Sequence, residues 1–409
     1  MANTEADINA VVDRGESIGL MGPMRLSEDS RHRRALVDLA VDLAGKSAGF
    51  RRSLPGGVVT ALADLVRAMN CYYSNLIEGH DTHPIDIERA LKNDYSADPR
   101  KRDLQLEAKA HITVQRWIDK GNAAGRATTT DIVRDIHRRF CELLPDELLW
   151  VEDPTNHERA RVVPGELRRR DVKVGWHTAI SPGAIPRFLA EFERSYAQAG
   201  KADAILAAAA AQHRLLWIHP FLDGNGRVSR LMSHAMLLDA LDTGGLWSIS
   251  RGVARAVAAY KNHLANCDLQ RRNDLDGRGN LSEEALADFT RFFLETCLDQ
   301  VDFMGNLVQP DRLRARILMW AEEETRLNAL PPKAGQVLEA VLYRGELPRG
   351  EVSELLGMTA RHSRRIVATL FKRGVITSQS TRAPLHLAFP ATLASFWMPG
   401  LFPERATDS

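Results

Sequence analysis

Residues 202–240 read as two helices joined by a tight turn, and that joint constrains the chain more than any other stretch. The twelve residues at the joint, 219–230, run His-Pro-Phe-Leu-Asp-Gly-Asn-Gly-Arg-Val-Ser-Arg. Asp223-Gly224-Asn225-Gly226 permits the positive φ values that a string of outward-pointing backbone N–H groups requires. Helical periodicity over 226–240 places a helix N-terminus directly behind the turn, where exposed amides and the dipole favour an anion. Arg227 and Arg230 stand three apart on one face of that helix's first turn. The Ala-rich stretch 202–218 leads into His219, and its small side chains allow close packing against the next helix. Such a loop suits a polyphosphate. Arginine's planar fork matches phosphate oxygens, and His219, titrating near neutral pH, is a candidate base.

Blander readings account for less. In a calcium-loop register Asp223 and Asn225 take positions three and five, but positions one and twelve fall on Phe221 and Met232, which offer no oxygen ligand. A plain turn explains the glycines and leaves the His-Pro entrance and the paired arginines unexplained. Neither a P-loop nor a Rossmann fingerprint occurs in the chain.

The order His-Pro-Phe-x-Asp-Gly-Asn-Gly-Arg-x-x-Arg resembles the signature of Fic-domain proteins at every defined position. Those are mostly helical enzymes that transfer part of a nucleotide, usually AMP from ATP, to a hydroxyl side chain on a protein. The resemblance implies a general base at His219 and a Mg²⁺ ligand at Asp223. It implies an anion nest at Gly224, Asn225 and Gly226, with the Asn225 side chain also reaching phosphate. Arg227 and Arg230 would clamp the departing pyrophosphate end. Phe221 reads as a core anchor for the loop, and Pro220 as fixing the entry of the chain.

A second motif lies upstream. Leu62, Leu65, Met69, Tyr72 and Leu76 recur at three- and four-residue steps, so a helix over about 57–79 buries one face. Ser74 and Glu78 are four apart on it, and Gly79 is placed as its C-cap. An ordinary helix end accounts for these residues as well. Together with the signature, however, Ser-x-x-x-Glu-Gly resembles the autoinhibitory motif of many Fic proteins, which implies that Glu78 pairs with Arg230, with Ser74 helping to hold the helix. Residues 164–177 break helical periodicity and suit a short hairpin. They resemble the Fic flap, which holds a target segment by strand addition; an ordinary surface loop is the other reading. Arg168, Arg169 and Arg170 read as a solvated or target-facing edge. Tyr260 and Asn266 fall where the family lines its adenine and ribose pocket, although a core aromatic explains Tyr260 equally well.

The fold class expected is mainly α: a helical Fic core with a short β-hairpin flap, plus a small C-terminal winged helix-turn-helix domain. Residues 1–30 are expected as a flexible N-terminal segment, 31–110 as an N-terminal helical region with the inhibitory helix, and 111–325 as the core. Pro331-Pro332 marks a boundary. Helices near 333–344, 348–356 and 359–373, then strands near 375–378 and 385–389, resemble a winged helix over 331–395, before a tail at 396–409. Its third helix carries Arg361, Arg364, Arg365, Lys372 and Arg373 and could enter a major groove, dock a protein, or simply be solvated.

With 54 basic and 53 acidic residues, no global charge draws the chain to nucleic acid or lipid. The four widely spaced cysteines argue against zinc and a disulfide framework. No secretory sequence or membrane-length apolar run is seen, so a cytoplasmic home is expected. The leading expectation is a self-inhibited AMP transferase using ATP and Mg²⁺ on a Ser, Thr or Tyr hydroxyl of a protein, itself included, with the target docked on the 164–177 flap. The competing readings are a DNA-binding regulator whose Fic core senses nucleotide, and a Fic enzyme with another nucleotide donor. Partners at the winged helix, DNA or protein, and a homodimer stay open.

Overall fold

The computed structural model describes residues 11–152, 157–175, 177–197 and 200–403. The first ten residues, Trp176 of the expected flap and the last six of the expected tail lie outside the described residues. Among the described residues the chain is mainly helical, and its strands form three two-stranded antiparallel sheets. The helices are α1 (Arg33–Arg52), α2 (Gly56–Ile77), α3 (Pro84–Leu91), α4 (Pro99–Trp117), α5 (Thr130–Cys141), α6 (Ile185–Tyr196), α7 (Lys201–Ile218) and α8 (Asn225–Ala240). They continue with α9 (Ser250–Arg255), α10 (Val257–Cys267), α11 (Glu283–Leu307), α12 (Pro310–Arg326), α13 (Ala334–Arg344), α14 (Val352–Leu356), α15 (Ala360–Lys372) and α16 (Ala394–Trp397). The strands pair as β1 (Trp150–Glu152) with β2 (Arg159–Arg161), β3 (Lys173–Val174) with β4 (His177–Thr178), and β5 (Ile376–Thr377) with β6 (His386–Leu387).

These elements gather into two compact units that cut across contiguous sequence. One combines residues up to Leu43 with Lys109–Leu241 and Gly252–Thr296; the other combines Ala44–Ala108, Asp242–Arg251 and the chain from Cys297 onward. Residues 44–108 therefore group with the C-terminal third instead of standing as a region of their own.

In the first unit, α7 and α8 pack as neighbours. Ala207–Ala211 are all buried on α7, and without side chains beyond Cβ the two helices can approach closely. Polar bridges tie the contact: the Ser233 hydroxyl donates to Gln212 Oε1 (2.9 Å), and Gln212 Nε2 donates to the Tyr260 hydroxyl (2.6 Å). Residues 12–17 are pinned along this unit. Asp13 pairs with Arg187, Arg14 with Asp171, and Glu16 accepts from the Ser181 amide and hydroxyl.

In the second unit, α2 packs against α3 and β6 and buries most of its length, including the polar Asn70, Ser74 and Asn75. Gly57, in its first turn, lies so close to the Gly345 carbonyl that a side chain there has no room. Tyr73 donates to the Leu401 carbonyl at 2.9 Å, and Tyr72 meets Phe402 edge to face. The helix ends in a paired C-cap: the Gly79 amide donates to Leu76 and the His80 amide to Asn75, with Gly79 at φ +89°. That left-handed residue is what glycine permits at such a helix end.

Candidate active site

Helix α7 stops at Ile218 because His219 takes a left-handed conformation, φ 51°, ψ 62°, while its amide still donates to Leu215. A non-glycine residue there costs on the order of 1–2 kcal/mol, so the surrounding contacts must hold it. The main holder is Arg168. It is buried, with Nε donating to the His219 carbonyl (2.7 Å), Nη1 to Arg170 (2.8 Å) and Nη2 to Ile180 (2.6 Å). Its own amide donates to the Pro220 carbonyl at 2.9 Å. Arg168 is thus not the solvated edge that its arginine-rich neighbourhood suggests; only Arg169 and Arg170 are exposed. Burial pushes its guanidinium down to about 10.

Phe221 is fully buried and stacks face to face on His137 of α5 at 3.9 Å between ring centres. Nδ1 of His137 accepts from the Gly165 amide at 2.9 Å, which fixes the neutral tautomer with its proton on Nε2. Burial holds His137 down to about 4. One histidine therefore joins the signature loop to the base of the flap segment.

The turn itself uses a single positive-φ glycine. Gly224, at φ 80°, caps α8, which begins at Asn225. The Asn225 side chain is turned inward, Oδ1 accepting from the Phe221 amide (3.0 Å) and Nδ2 donating to the Phe221 carbonyl (2.8 Å). The Asn225 side chain thus closes the loop through Phe221, and Nδ2 carries a second N–H beyond the one given to the Phe221 carbonyl. Asp223 is exposed beside Gly224, and Gly226 lies in the first turn of α8. Arg227 and Arg230 follow, both buried, with Arg227 over the Phe140 ring at 5.2 Å.

His219 is held neutral, pushed down to about 4, first by burial and then by the Arg168 charge and His177; the Leu216 backbone opposes these. Its Nδ1 is buried with no partner in hydrogen-bonding geometry. His111 of α4 was not singled out by sequence pattern. It is 1% exposed, neither ring nitrogen has a hydrogen-bond partner, and burial followed by Arg230 and Arg227 pushes it down to about 3. The two guanidiniums thus set a positive potential that His111 feels and that an anion would favour.

The structure brings His219, Asp223, Gly224, Asn225, Gly226, Arg227 and Arg230 onto one corner between α7 and α8. Tyr260 is 3% exposed, its hydroxyl taken by Gln212 and its ring beside Phe289, so it packs the core. Asn266 lies exposed in a shallow cleft with His263 and Arg272. Ser74, Glu78 and Gly79 belong to the second unit; Ser74 is fully buried in α2, and Glu78 is exposed at its end. The flap hairpin is short: among the described residues Lys173–Val174 pairs with His177–Thr178, the Ala179 amide donates to the Val172 carbonyl at 3.2 Å, and residues 164–171 form no strand. His177 Nε2 lies 2.8 Å from the Trp217 carbonyl, which ties the hairpin to α7. A cleft of about 280 Å³ between residues 159–163, 166–170 and Leu222 runs alongside.

Among the described residues no cluster of three His, Cys, Asp or Glu could enclose a metal. A single exposed carboxylate at Asp223 suits Mg²⁺ instead, which keeps most of its waters and takes one or two carboxylates together with substrate phosphates.

A helical fold with this corner is that of a Fic domain, and residues 127–237 match the Fic/DOC family. The chain carries a Fic domain. Over 171 residues it is 28% identical to the protein adenylyltransferase Fic of Drosophila grimshawi and to that of Drosophila persimilis. The match covers 41% of this chain and 32% and 31% of theirs, so the chain spans about a third of the length of these relatives. A Fic family protein from Desulfovibrio desulfuricans G20 superposes with a TM-score of 0.52, covering 89% of this chain and 98% of its own, at 15% identity. That is a likeness of fold. Among the described residues no helix is long and apolar enough to cross a membrane.

Proposed function

We propose that the chain is a protein adenylyltransferase that moves AMP from ATP to a Ser, Thr or Tyr hydroxyl of a protein, itself included. The observation that carries this reading is the imidazole of His219, its Nδ1 buried, beside a glycine-capped helix start that bears Asp223, Arg227 and Arg230. The target oxygen attacks the α-phosphorus, a new P–O bond forms, and the bond to the pyrophosphate oxygen breaks. The hydroxyl proton passes to His219, whose buried Nδ1 leaves Nε2 to receive it. The amides at the start of α8 and the guanidiniums of Arg227 and Arg230 stabilise charge on the departing pyrophosphate. Mg²⁺, when bound, would be held by Asp223 and supply charge neutralisation at the phosphates. The flap would present the target segment. The motif Ser74–Gly79 supports a regulatory role for Glu78, as a counter-charge to Arg230 that limits transfer.

Incubation with α-labelled ATP and Mg²⁺, followed by mass spectrometry of the protein, tests the reading. The expected result is a covalent label of AMP mass that disappears in His219→Ala. A nucleotide sensor without transfer gives binding and no label, and another donor gives a different added mass; either outcome overturns the proposal.

A further inference from the structure

The second unit holds a surface that the transfer reaction does not use. From Leu355 to Pro403 the sequence contains no Asp or Glu, yet it has six cations, Arg361, Arg364, Arg365, Lys372, Arg373 and Arg382, in a chain whose overall charge is only +1. The structure sorts these residues by face. On α15, Ser363, Ile366, Val367 and Leu370 are buried, whereas Arg361, Arg364, Arg365, Ala368 and Lys372 are exposed along the opposite stripe. Arg373 is taken up by Glu324. Among the described residues no carboxylate pairs with Arg361, Arg364, Arg365 or Arg382, so their charge faces solvent uncompensated.

The backbone around α15 presents this stripe. Helix α14 ends at Gly357, φ 58°, and three residues later α15 begins, a helix–turn–helix joint. Strands β5 and β6 follow as a hairpin whose loop is braced from below. The Ser378 hydroxyl donates to Ser380 and Ala383, and Arg349 donates to the Ala383 carbonyl at 3.0 Å while its guanidinium lies over Phe371. That bracing leaves Thr381 and Arg382 exposed at the loop. A helix with one basic, acid-free face has the width and charge for a major groove, and a basic hairpin beside it can reach the flanking backbone.

We propose that residues 334–387 form a winged-helix module that binds duplex DNA, with α15 in the major groove and the Arg382 loop on the adjacent phosphates. Small side chains at Ala360 and Ala368 let the helix backbone approach base edges between the arginines. The inference stands independently of nucleotide transfer, so the His219→Ala protein binds DNA as well as the unaltered chain does.

The test is fluorescence anisotropy of the full chain with a labelled random-sequence DNA duplex of about 25 base pairs across a salt series. Four or five phosphate contacts give a slope of log affinity against log salt of roughly −4, at about 0.9 per phosphate. Arg364→Ala with Arg365→Ala should lower that slope by about 2. The double variant should unfold at the unaltered temperature, because both side chains are exposed. Duplex RNA of the same length should bind more weakly, because its deep, narrow major groove excludes a helix. Four results would each overturn the proposal: no DNA retention at low salt, a slope unchanged in the double variant, equal retention of duplex RNA, or preferential capture by phosphatidylserine vesicles.

Discussion

Replacing Arg168 tests how the signature corner is held. Its guanidinium donates to the carbonyls of His219, Arg170 and Ile180 at 2.6–2.8 Å in a buried setting. Arg168→Gln keeps some bulk and polarity but cannot span three acceptors. Breaking a buried, charge-assisted network of this size costs about 3–5 kcal/mol, because the acceptors left behind remain desolvated. At about 2–4 °C per kcal/mol for a unit of this size, the melting temperature should fall by roughly 10 °C. A second readout separates positioning from mere stability. The Arg168 charge helps keep His219 near 4, so its removal should let the imidazole titrate closer to its ordinary value. In the unaltered protein at pH 5.5 about 97% of a base with pKa near 4 is neutral, against about 9% of one near 6.5. Burial, the larger cause, persists in Arg168→Gln, so transfer measured below the variant's melting temperature should lose only part of its acid tolerance, the acid limb rising above pH 4 and stopping short of pH 6.5. A melting temperature within about 2 °C of the unaltered protein, together with an unmoved acid limb, would refute the argument.

Other perturbations separate the remaining contributions. His111, His137, His213 and His219 are all held below the ordinary histidine range, chiefly by burial. The native state therefore binds fewer protons than the unfolded one between pH 4 and 6.5, and stability must rise with pH across that window. Each group held near 4 should contribute about 2 kcal/mol less at pH 5 than at neutral pH, and urea unfolding at the two pH values would expose a flat profile. His111→Leu removes an imidazole with no hydrogen-bond partner and should be neutral or stabilising by about 1 kcal/mol; a clear drop in urea midpoint would contradict this. Asn225→Ala strips both bonds to Phe221, so it should destabilise the loop by about 1–3 kcal/mol and weaken transfer through misplacement of Gly224, with unchanged urea midpoint and transfer rate as the opposing result. If Glu78 limits transfer, Glu78→Gly should raise self-labelling with ATP, and equal labelling would count against that role.

Much of this arrangement was legible because the signature loop obeys local rules. The Ala-rich helix, the glycine at the start of α8 and the buried Phe221 all follow from periodicity and backbone permissiveness. What escaped depended on tertiary direction. Three successive arginines look alike in sequence, but the irregular chain before the hairpin turns Arg168 inward and its two neighbours outward. Asn225 could serve a ligand or its own loop, and its bonds to Phe221 depend on where the turn places that residue. Tyr260 is a helical aromatic that packing, not spacing, assigns to the core. The grouping of residues 44–108 with the C-terminal third has no local signature, since it arises from where α2 finds apolar partners.

Within Ala207–Ala211, all buried, the methyl side chains that turn toward α8 floor its contact with α7 beside the signature loop. A floor without branches has no ridges to ratchet over, so the two helices sit like planks glued edge to edge, and the bend between them is a welded hinge. Enlarging an alanine on the side toward α8 drives a wedge into that joint, whereas enlarging one on the opposite side presses on other neighbours.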